Sequence, residues 1–191
     1  YFVLFYVLFC LYRPILSLGL FAAPTAIVGL SLGYFGVAPY APLTEISEGL
    51  EAHIILSIAA YCVLLMSAVQ AIILRIQIRE LKHKTNQRFW VNKLPSLQSM
   101  ESLLFDMILV GFSLLTLALA IGFVYVNDLL AQHIAHKTIL SMLSWLMLGY
   151  LLFGHWKYGW RGRRAANMTI LAFVVLAIGF IGSKFVLEIL L

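Results

Sequence analysis

The sequence predicts an all-α fold, a polytopic bundle of transmembrane helices with about five full spans and a partial span at its start. Three observations support this. Of the 191 residues, 63% are apolar and only 11% are charged, whereas soluble domains carry about 25% charged residues. The mean hydropathy is +0.99. The apolar residues form runs, most of them long enough to cross a hydrocarbon core of about 30 Å. This composition excludes a secreted disulfide scaffold, a disordered tail and a stand-alone soluble enzyme.

Six apolar runs follow one another along the chain. The first, over residues 1–11, is too short to span a bilayer, and we expect it to be the end of a helix that begins upstream. The second, over residues 15–36, contains Pro24, which is expected to kink it. The other runs cover residues 53–74, 103–126, 138–153 and 168–187. We expect one domain over residues 1–191, with residues 1–36 forming its N-terminal spans.

Polar residues mark where some of these helices begin and end. Gln70 is the only strongly polar residue inside the run 53–74. Pro95 and Ser96 precede the run 103–126, and Ser96 is expected to be a helix N-cap. Each run is apolar on all sides rather than along one stripe, as is typical of helices immersed in lipid.

The charged residues indicate how the bundle is oriented. Eleven of the thirteen Lys and Arg residues are Arg13 or belong to the loops 75–93 and 157–164. Such an asymmetry is the positive-inside pattern, which predicts that both loops are cytoplasmic and that the C-terminus is outside. The net charge of +5 therefore reports topology, and we expect lipid rather than nucleic acid as the partner of the basic loops.

Histidines are the informative polar residues, because an ionisable group in a membrane span is costly and often functional. His53, Ser57 and Tyr61 are spaced i, i+4 and i+8, so they share one helical face. This face either lines a binding site or simply contains an interfacial histidine. His133 and His136 are spaced i, i+3 before the run 138–153, where they are either solvated or able to share a metal.

A second polar face ends at His155. Lys137, Ser141 and Trp145 precede it at helical spacing, which fits either a packing face or a site. His53 and His155 are predicted at opposite faces of the hydrocarbon core, so they cannot ligate one iron. The partner of His53 would then be His136 or His133. The partner of His155 would be His83 or an upstream residue, unless Asp106 orients His155 by a hydrogen bond.

A set of motifs from the third run onward resembles a known family. The motifs are His53-x-x-x-Ser57-x-x-x-Tyr61, Leu94-Pro95, the stretch 111–117 (GFSLLTL), Lys137, Ser141 and Trp145, the stretch 151–155 (LLFGH) and the stretch 159–164 (GWRGRR). Together they are similar to the cytochrome c assembly family of haem-handling membrane proteins (the CcsA and CcmC type). Within that family they most resemble the YpjD and HemX-like branch. The resemblance covers residues 43–191.

The resemblance implies a multi-pass protein of the bacterial inner membrane that binds haem b through histidines. It implies that His53 and His155 are axial ligands of haem iron, that His136 is a weaker candidate partner, and that Ser57, Tyr61 and Trp145 line the pocket. The chain departs from the family in two places. Residues 127–137 contain no Trp, and residues 182–184 contain no His. The resemblance therefore implies haem binding more firmly than haem transfer to apocytochrome.

The leading hypothesis is a non-enzymatic haem-binding membrane protein that acts in haem handling or its regulation, with haem, lipid and possible further membrane subunits as partners. One alternative is a structural or partner-binding subunit whose haem site has decayed. A transporter is a further alternative, and it rests on Pro24 and the glycines of the run 15–36. The sequence contains no Walker loop, G-x-S-x-G or H-E-x-x-H motif that would indicate an enzyme.

Overall fold

The structure is a computed structural model, and it describes residues 48–82, 95–125 and 135–189 together with the single positions 4 and 7. The predicted spans over residues 1–11 and 15–36 fall outside these ranges, apart from positions 4 and 7. So do His83, His133 and most of the basic loop 75–93.

Four α-helices make up the described part of the chain. They are α1 (Glu48–Lys82), α2 (Leu97–Tyr125), α3 (Ala135–Tyr158) and α4 (Gly162–Ile189). All four contain a stretch that is long and apolar enough to cross a membrane. The described residues contain no strand. The predicted all-α transmembrane fold is confirmed, and these helices are the last four predicted runs.

The helices form an up-and-down bundle in which sequence neighbours are also neighbours in space. The closest packing is between α1 and α2, followed by the pairs α3–α4, α1–α4 and α2–α3. The Gln77 side chain near the end of α1 donates a hydrogen bond to the Pro95 carbonyl oxygen, 3.0 Å away, just before α2 begins. A Cβ on Gly162 would lie 3.4 Å from a carboxylate oxygen of Glu101. The end of α1 and the starts of α2 and α4 therefore meet at one end of the bundle.

Arg75, Arg79 and Lys82 of α1 lie at this end, as do Arg161, Arg163 and Arg164 around the start of α4, and we call it the basic end. The helices extend into it further than predicted. Arg75 and Arg79 were expected in a loop but lie on α1, which continues to Lys82. Hydropathy marks only the part of a helix that lies in hydrocarbon, whereas the backbone hydrogen bonds of a helix continue equally well into water. At the start of α2, Ser96 accepts a hydrogen bond from the Ser99 amide at 3.3 Å, so its prediction as the N-cap is confirmed.

The core lies between the four helices and is built largely from small and medium apolar side chains. The fully buried residues include Ala60, Leu64, Leu104, Leu148 and Leu176. Buried polar side chains connect the helices by hydrogen bonds to backbone carbonyls: Gln70 to Met100 at 3.3 Å, and Ser144 to Ala172 at 2.9 Å. Such bonds are favoured in lipid because water is absent there to satisfy a polar group.

Large apolar side chains cover the outside of the bundle. Leu117, Phe123, Ile139, Leu146, Leu171 and Ile178 are each more than half exposed. An apolar surface of this extent needs lipid as its solvent. The chain is a multi-pass membrane protein.

Candidate functional site

A cavity of about 530 Å³ lies between the helices at the end opposite the basic end. We call it the His53 cavity. Ligand sites in proteins usually have volumes of about 300–1,000 Å³, with mostly apolar walls and a few polar groups. The apolar part of this wall consists of Ile54, Ile58, Cys62, Leu115, Ala118, Leu119, Gly122, Phe123 and Leu176. The polar part consists of His53, Ser57, Tyr61, Lys137, Thr138 and Ser141.

Small residues of α2 allow the His53 ring to pack directly against the backbone of that helix. His53 Nδ1 lies 2.7 Å from the carbonyl oxygen of Ala118. A Cβ on Gly122 would lie 2.8 Å from His53 Cε1 and 3.0 Å from Nδ1, closer than side chains tolerate. Because a carbonyl only accepts hydrogen bonds, Nδ1 carries the proton and donates. In the neutral ring the lone pair is then on Nε2, the usual arrangement of a metal-ligating histidine.

Ser57 and Tyr61 continue the same face of α1, as their spacing predicts. Both line the cavity with His53. The Tyr61 hydroxyl donates a hydrogen bond to the Leu176 carbonyl oxygen of α4, and its ring packs edge-on against Phe173 with centroids 6.5 Å apart. Eight residues of helix correspond to about 12 Å, so Tyr61 lies deep in the bundle relative to His53. It connects α1 to α4 at the inner limit of the cavity.

The first turns of α3 form the opposite wall of the cavity. Lys137, Thr138 and Ser141 line it, and the Ser141 hydroxyl donates to the Lys137 carbonyl oxygen at 2.7 Å. His136 lies on α3 beside Lys137, but its side chain is outside the described residues.

Trp145 lies one turn further along α3, outside the described cavity wall. Its ring stacks on Phe112 of α2, with centroids 5.6 Å apart and planes at 15°. Its Nε1–H donates to Thr116 Oγ1 at 2.8 Å. Trp145 therefore links α3 to α2 next to the cavity.

His155 lies near the basic end, in a cluster with Phe105, Gly154 and Trp160 that we call the His155 cluster. The His155 ring stacks on Phe105, with centroids 3.5 Å apart and planes at 18°. Its Nδ1 donates to the Trp160 carbonyl oxygen at 2.9 Å, so a backbone carbonyl rather than Asp106 accepts from Nδ1. Gly154 leaves room for the Trp160 ring, because a Cβ there would lie 2.2 Å from a ring atom.

The two histidines are far apart in the bundle. His53 contacts α2 at Ala118, and His155 contacts α2 at Phe105. Thirteen residues of α-helix correspond to about 20 Å. The two rings therefore cannot ligate one metal atom. This agrees with the predicted positions of the two histidines at opposite faces of the hydrocarbon core.

The chemistry of the His53 cavity fits a haem group. His53 offers an unprotonated Nε2 in the neutral ring, and imidazole nitrogen is a common axial ligand of haem iron. The apolar wall suits a porphyrin ring, and Ser57, Tyr61 and Lys137 supply polar contacts. His155 has the same tautomer, fixed by the Trp160 carbonyl.

Comparison with known proteins gives the family. The sequence profile of the family described as "Cytochrome C assembly protein" matches residues 1–191. The chain belongs to this family. The resemblance found in the motifs of residues 43–191 is confirmed.

Several curated relatives match over most of this chain. The Inner membrane protein YpjD of Escherichia coli (strain K12) is 32% identical over 165 residues, which are 86% of this chain and 62% of YpjD. An uncharacterized 28.8 kDa protein of Azospirillum brasilense is 31% identical over 170 residues, covering 85% of this chain and 62% of that protein. This chain therefore spans less than two thirds of the length of these relatives.

A cytochrome c biogenesis protein gives a shorter match. The Cytochrome c biogenesis protein CcsA of Synechococcus sp. (strain CC9605) is 29% identical over 92 residues, 47% of this chain and 30% of CcsA. No solved structure matches the chain.

Sequence reasoning missed several residues that shape these two regions. The carbonyls of Ala118 and Trp160 orient the two histidines, but every residue has a carbonyl, so no sequence signal marks them. Gly122 gives the His53 ring its space, yet glycine is common in membrane helices. Lys137, by contrast, was noted from the sequence on the polar face of its helix, and the structure places it in the cavity wall.

Proposed function

We propose that this chain is a haem-binding, non-enzymatic part of an inner-membrane protein that acts in cytochrome c biogenesis, in haem handling or its regulation. The observation that supports the proposal is the environment of His53. Its ring lines an apolar cavity, and its Nδ1–H is held by the Ala118 carbonyl. Family membership supports the biogenesis role. The names of the relatives YpjD and CcsA support the inner membrane and cytochrome c biogenesis, respectively.

In this proposal His53 and His155 would hold haem b through their ring nitrogens, at different depths of the bundle. Bound haem would supply an iron centre that binds histidine nitrogen. The Ala118 carbonyl keeps His53 Nε2 unprotonated in the neutral ring and fixes the ring plane. Ser57 and Tyr61 line the same cavity, Trp145 packs beside it, and His136 remains the candidate partner of His53. The apolar wall keeps water away from the ligand.

The experiment is a titration of the purified full-length protein in detergent with ferric haem, followed by the Soret band. A pyridine haemochrome spectrum identifies the haem type. We expect His53→Ala to weaken binding at least tenfold, since even the loss of an outer hydrogen bond to a ligand costs about 10–100-fold in metal affinity. His155→Ala is expected to remove a separate, additive contribution. Ile55→Ala is the matched control, because Ile55 is 40% exposed and outside the cavity wall.

A Soret band that is absent, or that is unchanged when both histidines are replaced, would overturn the proposal. A well-folded, iron-free protein that copurifies with another membrane protein would instead favour a structural subunit with a decayed site.

We further propose that the basic end faces the cytoplasm, because Arg161, Arg163 and Arg164 lie there together with the basic end of α1. The test uses single cysteines at the exposed positions Glu51 and Arg161, in a background in which Cys10 and Cys62 are serine. A membrane-impermeant maleimide applied to spheroplasts is expected to label Glu51→Cys and to label Arg161→Cys only after lysis. The reverse labelling would invert the orientation.

A further inference from the structure

The turn between α3 and α4 concentrates positive charge at the basic end. Residues 157–164 contain no Asp or Glu and four cations, namely Lys157, Arg161, Arg163 and Arg164. All four side chains are exposed. The Glu101 carboxylate of α2 comes close to the turn, because a Cβ on Gly162 would lie 3.4 Å from one of its oxygens. A single carboxylate can offset only one of the four charges, so the turn keeps a net positive charge.

Two of these cations lie against aromatic rings that contact each other. The Arg164 guanidinium is 4.7 Å from the centroid of the Trp160 ring, and Lys157 Nζ is 5.8 Å from the centroid of the Tyr158 ring. The rings of Tyr158 and Trp160 stack with centroids 6.2 Å apart and planes at 25°. Lys157, Tyr158, Trp160 and Arg164 therefore form a continuous row, which we call the Trp160 row.

The Trp160 row is held in the bundle by Trp160 itself. The Trp160 ring packs edge-on against Tyr150, with centroids 5.0 Å apart, and it occupies the space that Gly154 leaves. The Trp160 carbonyl oxygen accepts the hydrogen bond of His155. A guanidinium that stacks on a fixed ring loses little freedom on binding, and the N–H groups at its edge remain available to two oxygens of one phosphate.

Exposed aromatic side chains place the Trp160 row at the surface of the membrane. Trp156 is 75% exposed and Tyr158 is 64% exposed. Both are at the end of α3, and Trp and Tyr are enriched at the level of the lipid headgroups. The anionic group that a cation meets at this level is the phosphate of a phospholipid.

We propose that the Trp160 row, together with the neighbouring Arg163, is a binding site for the headgroup phosphate of an anionic phospholipid. The acyl chains would lie against exposed apolar side chains of α3 such as Phe153. The positive-inside pattern needs only charge, whereas stacking of Arg164 on Trp160 fixes the geometry of a donor. The inference goes beyond the proposed haem-binding function and does not depend on it.

The test compares two lipids that share the phosphodiester group but differ in net charge, phosphatidylglycerol and phosphatidylcholine. Each is titrated into the purified full-length protein in an uncharged detergent, and bound lipid is counted by native mass spectrometry. The measured quantity is the selectivity, which is the dissociation constant for phosphatidylcholine divided by that for phosphatidylglycerol. Partitioning of the lipids into detergent is the same for every variant and cancels when variants are compared.

We expect the double variant Arg163→Gln/Arg164→Gln to lower the selectivity about tenfold, the effect of losing one charge-assisted hydrogen bond. Arg75→Gln/Arg79→Gln is the matched control, because it removes the same charge from exposed positions of α1 at the same end. This control is expected to keep the wild-type selectivity.

A second comparison separates geometry from charge. Arg164→Lys keeps the charge but loses the planar group that stacks on Trp160 and can contact two oxygens, so we expect it to lower the selectivity as well. If the double variant does not fold, Arg163→Gln and Arg164→Lys, measured singly, provide the same test. Glycerol 3-phosphate, which lacks acyl chains, is expected not to displace bound phosphatidylglycerol.

Three results would overturn the inference. The first is wild-type selectivity in folded variants of Arg163 and Arg164. The second is an equal loss in the Arg75→Gln/Arg79→Gln control, because the charge of the whole basic end would then attract the lipid. The third is displacement of phosphatidylglycerol by glycerol 3-phosphate, which would assign the site to a free phosphate compound instead of a lipid.

Discussion

The His53 cavity and the His155 cluster each orient a histidine side chain, but they do so in different ways. In both, Nδ1 of the histidine donates to a backbone carbonyl, at 2.7 Å for His53 and 2.9 Å for His155. The carbonyl that His53 uses belongs to another helix, 65 residues further along the chain. The carbonyl that His155 uses is only five residues away, in the turn that follows its own helix.

This difference shows what each ring depends on. The orientation of His53 depends on how closely α1 and α2 pack, which Ala118 and Gly122 permit. The orientation of His155 depends on the local turn and on stacking against Phe105. Substitutions that alter helix packing should therefore disturb His53, and substitutions in the turn should disturb His155.

The largest expected effect is that of Gly154→Ala, which tests the His155 cluster. The new Cβ would lie 2.2 Å from one atom of the Trp160 ring and 2.5 Å from another. The ring cannot move freely, because Tyr150 packs edge-on against it and Arg164 stacks over it at 4.7 Å. Overpacking of this kind costs up to about 3 kcal/mol in the free energy of unfolding, measurable by SDS titration in mixed micelles.

Gly149→Ala is the control for this variant, because its Cβ would lie 3.4 Å from the Phe112 ring, an ordinary contact. Equal stabilities of the two variants would show that the turn does not depend on this close approach.

Gly122→Ala tests the His53 cavity in the same manner, with a smaller effect on stability. The Cβ would lie 2.8 Å from His53 Cε1, and the ring can turn away from it. We expect a loss of about 1–2 kcal/mol in the free energy of unfolding. Haem binding should weaken about tenfold, because the Nδ1 hydrogen bond to Ala118 is lost. Unaltered haem affinity in this variant would contradict a role for the Ala118 carbonyl.

Gly159→Ala separates backbone conformation from packing in the turn. Gly159 has φ +67°, and a Cβ there would meet no atom within 4 Å. Only the strain of the left-handed conformation remains, about 1 kcal/mol in the free energy of unfolding. Asparagine tolerates this conformation better than alanine, so Gly159→Asn should be more stable than Gly159→Ala. The opposite order would point to a contact absent from the structure.

The smallest expected effect is that of Trp145→Phe, between the two regions. The substitution removes the Nε1–H donor to Thr116 and keeps an aromatic ring against Phe112. Hydrogen bonds between membrane helices contribute about 0.6 kcal/mol on average, and we expect a loss of that size in thermal or SDS unfolding. Haem affinity should change less than twofold, since Trp145 is outside the described cavity wall. A larger change would make Trp145 a ligand contact.

The fold was largely predictable, because lipid imposes apolar runs of a given length. The runs 103–126 and 168–187 coincide with most of α2 and α4. The ends of the helices were less predictable. Lys82 ends α1 eight residues beyond the apolar run, since charged residues can continue a helix in water.

It was predictable which residues of the site share a helix face, whereas the depth and shape of the cavity were not predictable. The 3.6-residue period placed His53, Ser57 and Tyr61 on one face, and they line one cavity. The cavity itself depends on the spacing between helices, which is set by contacts such as that of Gly122 with His53. Contacts between distant residues leave no periodic signal in one sequence.

The turn between α3 and α4 also constrains how the protein enters its membrane. Three residues, from Gly159 to Arg161, separate the two helices. A chain of three residues reaches about 11 Å at most, far less than the ~30 Å hydrocarbon core. The second helix therefore begins on the same side of the membrane on which the first ends. We expect the two to insert into lipid together as one helical hairpin, with its arginine-rich tip left on one side of the membrane.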